Sequence, residues 1–168
     1  IDPAMLGQTW FMADGMVLSN MTMGMATAMR GREDFSFRWD YGYDEHHTEN
    51  EYDFEWAHYF SPNLSSFLGY RLTDDMEAED RFFGGVRYRL PYMIETEATV
   101  DSEGDFRFGI GRELQLTPRL SLCGHAQYDT NTAWEFAGGT SFLLNKQFSL
   151  TAAWNTDHGF GAGLSFRF

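Results

Sequence analysis

Three groups of side chains in this sequence have the chemistry to hold a metal ion. Seven of the nine methionines fall before residue 30: Met5, Met12, Met16, Met21, Met23, Met25 and Met29. Thioethers are soft ligands that do not titrate, and they suit reduced copper. Met12, Met16, Met21 and Met23 are therefore candidate ligands. His46 and His47 stand side by side in DEHHTENE, among Asp44, Glu45, Glu49 and Glu51. Imidazoles with carboxylates suit Cu(II), Ni(II) or Zn(II). Cys123 and His125 are two residues apart, hence on one side of an extended chain, with Gln127 beyond them.

Each group also has a plainer reading. In NMTMGMATAMR the methionines alternate with small residues, so Met21, Met23 and Met25 can form the lipid-facing side of one strand while the small residues line an interior. That reading is the one the pattern favours. The histidine pair reads as part of a solvated polar loop. Cys123 and His125 are too few for a metal site unless neighbouring strands contribute. Catalysis has less support still. Ser121 and His125 share a strand face but lie roughly 13 Å apart at strand rise, too far for a nucleophile–base hydrogen bond. The glycine-rich pieces FGIG and FGAG have no helix after them, so they do not cradle phosphate.

Charge and cysteine content exclude further classes. The 25 Asp and Glu against 12 Lys and Arg give a formal charge of −13, which leaves no basic face for a nucleic acid. One cysteine permits neither an internal disulfide nor a Cys-based zinc cage.

The elements that must position these residues are strands. From Phe35 onward the period is two. FSFRWDYGY places Phe35, Phe37, Trp39, Tyr41 and Tyr43 on one face and Ser36, Arg38 and Asp40 on the other, and YDFEWAHYF repeats the pattern. Eight further segments alternate in the same way, down to FGAGLSFRF at the C-terminus, which gives ten strands in all. NMTMGMATAMR and the segment around GQTWFM, followed by Ala13-Asp14-Gly15, supply one more hairpin. Twelve strands are expected, with ten as the fallback. The connections alternate between tight turns (SPN, LPY, LTPR, LNKQ) and more acidic, mostly longer loops such as TDDMEAED and DSEGD. Short turns at one end and longer loops at the other are what an up-and-down barrel in an outer membrane shows. Residues 1–168 read as one barrel domain, with the opening IDPAM (1–5) reading as an artificial junction.

A soluble lipocalin-like barrel also alternates, but it turns its apolar face inward and carries its charge outside. Here Arg71, Arg87, Arg89, Glu95, Glu97 and Arg112 are expected on the polar face, which suits a small lumen of opposed charges. Phe35, Phe37, Phe54, Leu68, Val86, Ile94, Phe108 and Leu164 are expected to face lipid. Aromatic residues near strand ends, such as Tyr70, Tyr88, Tyr128, Trp134 and Trp154, match the girdles of membrane barrels. The expected fold is an all-β, antiparallel, transmembrane β-barrel.

The segment FFGGVRYRLPYMIETEATVDSEGDFRFGIGRELQLTPRLSL, preceded by EWAHYFSPNLSSFLGYRL, resembles the copper resistance protein B family of Gram-negative outer membranes. The shared features are a strand ending in a Pro-aromatic turn, an EATV strand, a Gly-Asp loop and a closing LTPRL. The likeness runs over roughly residues 35–128. It implies copper handling at the outer membrane, with copper as the ion bound or passed. The family carries a Met-rich region ahead of its barrel, and here only the N-terminal methionine cluster remains. The expected partners are outer-membrane lipid, lipopolysaccharide and metal cations, with the chain a monomer and no enzyme. The alternatives are a structural or adhesion barrel, a small nonspecific porin, or a lipid-modifying barrel.

Overall fold

The computed structural model describes residues 8–43, 50–73, 80–131, 133–156 and 158–168. The period-two segments become twelve strands. They are β1 (Thr9–Leu18), β2 (Met21–Arg30), β3 (Glu33–Gly42), β4 (Glu51–Ser61), β5 (Leu64–Thr73), β6 (Arg81–Leu90), β7 (Ile94–Asp101), β8 (Phe106–Gln115), β9 (Leu120–Asp129), β10 (Ala133–Leu143), β11 (Phe148–Asn155) and β12 (Gly159–Arg167). Each strand pairs antiparallel with the next, and β1 closes on β12, so the sheet has no edge. The seam runs from Asp14 opposite Arg167 to Leu18 opposite Gly163, and Ala13 and Phe168 exchange backbone hydrogen bonds at its end.

The first hairpin differs from the sequence expectation. Ala13-Asp14-Gly15 carries a turn signal, yet β1 runs straight through it and turns at Ser19-Asn20. Neighbours override the local preference. Asp14 faces the interior opposite Arg167, and a Cβ on Gly15 would lie 2.7 Å from the Phe166 ring. Both chain ends share one rim with the tight connections Gly31-Arg32, Pro62-Asn63 and Pro91–Met93. The connections after β3, β5, β7, β9 and β11 leave from the opposite rim, called distal below.

The outer surface is apolar as expected. Phe35, Phe54, Leu68, Val86, Phe108 and Leu164 are exposed there. Rings of β3 and β4 stack along it, with Phe37 4.9 Å from Phe54 and 5.9 Å from Trp39 between centroids. Arg112 is a correction. On β8 the lumen side is taken by Arg107, Gly109, Gly111 and Glu113, so Arg112 points outward, level with Ile94 and Gly124. Ile94 begins β7 at the rim of tight turns, and there a long side chain can carry its guanidinium to lipid head groups.

The methionine strand is the larger correction. The favoured reading put Met21, Met23 and Met25 on lipid, but they face the lumen. Register decides it. Met23 pairs with Asp40 and Met25 with Arg38, both on the inner side of β3 because Phe35, Phe37 and Trp39 occupy the outer side. Outside, the small residues of β2 are required by those rings. A Cβ on Gly24 would sit 2.3 Å from Cζ2 of Trp39. The rings lean over β2 and fill the space that its own side chains leave.

Candidate functional site

The lumen is the candidate site, and its wall has three sectors. The first runs over β3 to β9 and is charged. Arg71 on β5 holds Asp53 of β4 with two hydrogen bonds, Nε to Oδ1 at 2.8 Å and Nη2 to Oδ2 at 2.9 Å. Its Nη1 also reaches Glu51 at 3.4 Å. Arg87 on β6 bridges two strands: Nε donates to Glu97 of β7 at 2.5 Å, while Nη1 and Nη2 both donate to Glu55 of β4. Forked pairs of this kind are the strongest protein ion pairs, and they fix both partners in place. Arg107 donates to Asp129, and Arg81 holds Asp101, Glu103 and Asp105 at the distal rim. Arg89 and Glu95 pair near the opposite rim.

Two rings support the central pairs. Phe67 of β5 and Phe83 of β6 point into the lumen, on the same faces as Arg71 and Arg87. The Arg87 guanidinium carbon lies 4.2 Å from the Phe67 centroid, and that of Arg71 lies 5.6 Å from Phe83. Stacked guanidinium on a ring adds about 0.5–2 kcal/mol each. The rings fit because of glycine. Phe67 lies over Gly85 and Phe83 over Gly69, where a Cβ would approach Cζ to 2.7 and 2.2 Å. Sequence reasoning passed over these two phenylalanines, although the period of two already puts them on the face of Arg71 and Arg87.

The second sector, β9 apart from Asp129 through β12, is lined mainly by small polar residues, with Gln127 donating to Glu135 at 3.2 Å. Ser141, Thr151 and Ser165 form a hydroxyl chain with contacts of 3.3 and 2.7 Å. Cys123 and His125 face the lumen here and are exposed, so open space lies in front of them. Cys123 donates to the Gly139 carbonyl at 3.5 Å, and the His125 ring rests against Gly109 and Gly111. No neighbouring strand completes a metal site around them. Among the described residues, no three His, Cys, Asp or Glu side chains form a group that could hold a metal ion.

The third sector, β1 and β2, is lined with sulfur. Met12, Met16, Met21, Met23 and Met25 share one inner face; Met16 is directly opposite Met23, and Met12 is opposite Thr27. The four candidate methionines are therefore brought together. Met21 is the most buried, with 1% exposure, and its sulfur accepts weakly from Asn155 Nδ2 at 3.7 Å. His46 and His47 lie outside the described residues. His158, which the sequence did not single out, closes this sector at the distal rim. Its Nε2 lies 3.6 Å from Asp40 Oδ1.

Carboxylates outnumber guanidiniums on the described lumen wall, and Arg71, Arg81, Arg87, Arg89 and Arg107 are committed to pairs. The interior thus presents a negative field in which these five positive groups are held by carboxylates.

Neither a family model nor a curated protein matches this sequence. Solved structures do match in shape. Acinetobacter baumannii outer membrane protein Omp33 superposes with a TM-score of 0.55 at 11% identity, over 98% of both chains. The fold is one that outer-membrane proteins use. A triple mutant of the Rhodopseudomonas blastica porin superposes with a TM-score of 0.50 at 9% identity, covering 89% of this chain. This chain spans 56% of that porin's length. At these identities the likeness concerns fold alone.

Proposed function

We propose that this chain is a barrel of a Gram-negative outer membrane that binds or passes small cations through a constricted lumen. The carrying observation is the lumen wall itself, acidic on balance with Arg71 and Arg87 tied into forked pairs. The apolar outer belt and the resemblance in shape to porins and Omp33 support the membrane setting, with lipid and lipopolysaccharide as its surroundings. Copper as the cation rests on two things: the copper resistance protein B resemblance and the sulfur-lined sector of β1 and β2.

Conductance in planar bilayers tests the reading. The acidic distal loops act over a screening length of roughly 8 Å at physiological salt, whereas the lumen pairs act at contact. The expected result is a small conductance with weak cation preference. Strong anion selectivity contradicts it. Zero conductance would favour a second reading, a structural barrel closed by its own ion pairs, for which the Arg87 bridge across three strands is the specific support.

A further inference from the structure

The turn between β11 and β12 folds inward over the distal end of the sulfur sector. Two contacts hold it there and a third fixes Asn20. The His158 backbone N–H donates to Asn155 Oδ1 at 2.6 Å, Asn20 Nδ2 donates to the His158 carbonyl at 2.6 Å, and the Tyr43 N–H donates to the Asn20 carbonyl at 2.9 Å. The imidazole thereby passes beyond β12, β1 and β2 to lie on β3. It rests on Gly42, where a Cβ would stand 2.9 Å from Cε1 and 3.0 Å from Nδ1. Its side chain is 11% exposed.

What lies beside and below the ring is chemically consistent. Gly42 is the register partner of Met21, Asp40 that of Met23, and Met23 that of Met16. Same-face neighbours on adjacent strands are about 5 Å apart, so flexible thioethers from Met16 and Met23 can reach one point beside Asp40 and His158. We infer that this roofed corner binds one soft monovalent cation, Cu(I) or its redox-inert analogue Ag(I), through His158, Asp40, Met23 and Met16. Two thioethers and an imidazole select a soft ion over the hydrated alkali and alkaline-earth cations. The charge state agrees. Asp40 supplies the one carboxylate among these four ligands, and the imidazole and thioethers bind as neutral donors. Glu51, the β4 neighbour of Asp40, is engaged by Arg71 at 3.4 Å.

The inference rests on the cation reading above and narrows it to one site. The test uses the full chain in detergent with His46→Ala and His47→Ala, so that the acidic loop cannot supply ligands. Ag(I) is titrated calorimetrically, and Cu(I) is competed against a chromophoric chelator. One ion per barrel is expected. Met16→Leu with Met23→Leu conserves volume and should weaken binding by at least about ten-fold, as should Gly42→Ala, which displaces the imidazole without touching a ligand. Cys123→Ser, on the far sector of the wall, should leave affinity unchanged. X-ray absorption on the Cu(I) form should show both sulfur and nitrogen ligands. Absence of binding overturns the site, and so does binding that survives the methionine pair change or vanishes with Cys123→Ser. Gel-shift resistance to heat confirms that each variant is folded. The same preparations in bilayers separate the two ideas: a barrel that conducts without binding Ag(I) rejects the site alone, and one that binds without conducting rejects the channel alone.

Discussion

The β4–β7 wall and the β1–β2 wall line one lumen and fill it by opposite means. On β4–β7 each charged group needs a particular partner at a particular distance, as Arg87 does with Glu55 and Glu97. Remove one member and the others are left ionised in a confined, poorly hydrated space. On β1–β2 the methionines fill volume through many weak dispersion contacts, and any unbranched apolar side chain of similar size fills it nearly as well. The first wall is brittle to substitution and chemically inert. The second tolerates substitution but keeps ligands available. A barrel that has to stay shut to bulk flow and still offer a soft cation a place to bind benefits from having both.

The largest effect expected from breaking this contrast is on the charged side. Arg87→Ala leaves Glu55 and Glu97 without their shared guanidinium and removes the cation from the Phe67 face. A loss of about 3–5 kcal/mol is expected, read from urea unfolding in detergent. Met21→Ala, at the most buried position of the sulfur wall, should cost about 2 kcal/mol, at the low end for such a truncation because flexible neighbours collapse into the gap. Met21→Leu should cost less than about 1.5 kcal/mol. If Met21→Leu proves as damaging as Arg87→Ala, the contrast between the two walls fails.

The outer face gives the reference scale for both. Leu68→Arg places a charge in the middle of the apolar belt and should cost about 2–4 kcal/mol, whereas Ser121→Arg, facing open lumen, should cost much less. Equal costs would mean that the outer face does not meet lipid. The smallest expected change is in selectivity. Arg89→Gln, at the exposed rim pair with Glu95, should raise cation preference slightly in reversal-potential measurements and leave stability within about 0.5 kcal/mol.

Much of this fold was legible in the chain, and the reason is the strict period of two. Wherever one face of a strand is aromatic or aliphatic and the other charged, as in β3, β4 and β7, the alternation states which side meets the lumen. The tight turns and acidic loops then sort themselves to opposite rims. The candidate site was less legible, because its methionines sit where both faces of the strand are uncharged. Met21, Met23 and Met25 against Thr22, Gly24 and Ala26 carry no sign of inside or outside. Arg112 misled for a related reason: a charge alone does not reveal a snorkelling side chain.

What the sequence determined by itself is therefore the antiparallel up-and-down order and the facing of strands such as β3, β4 and β7, whose central charges lie on one side, since these follow from backbone geometry and the cost of burying charge. Tertiary structure alone decided the facing of β1 and β2, through register against Asp40 and Arg38 and through the Trp39 ring that occupies the space outside Gly24. It alone carried His158 over two strands beyond its own neighbour to Asp40, and Arg87 past β5 to Glu55. Local patterning fixes parity within a strand, but contacts between strands that are not neighbours exist only once the sheet has curved and closed.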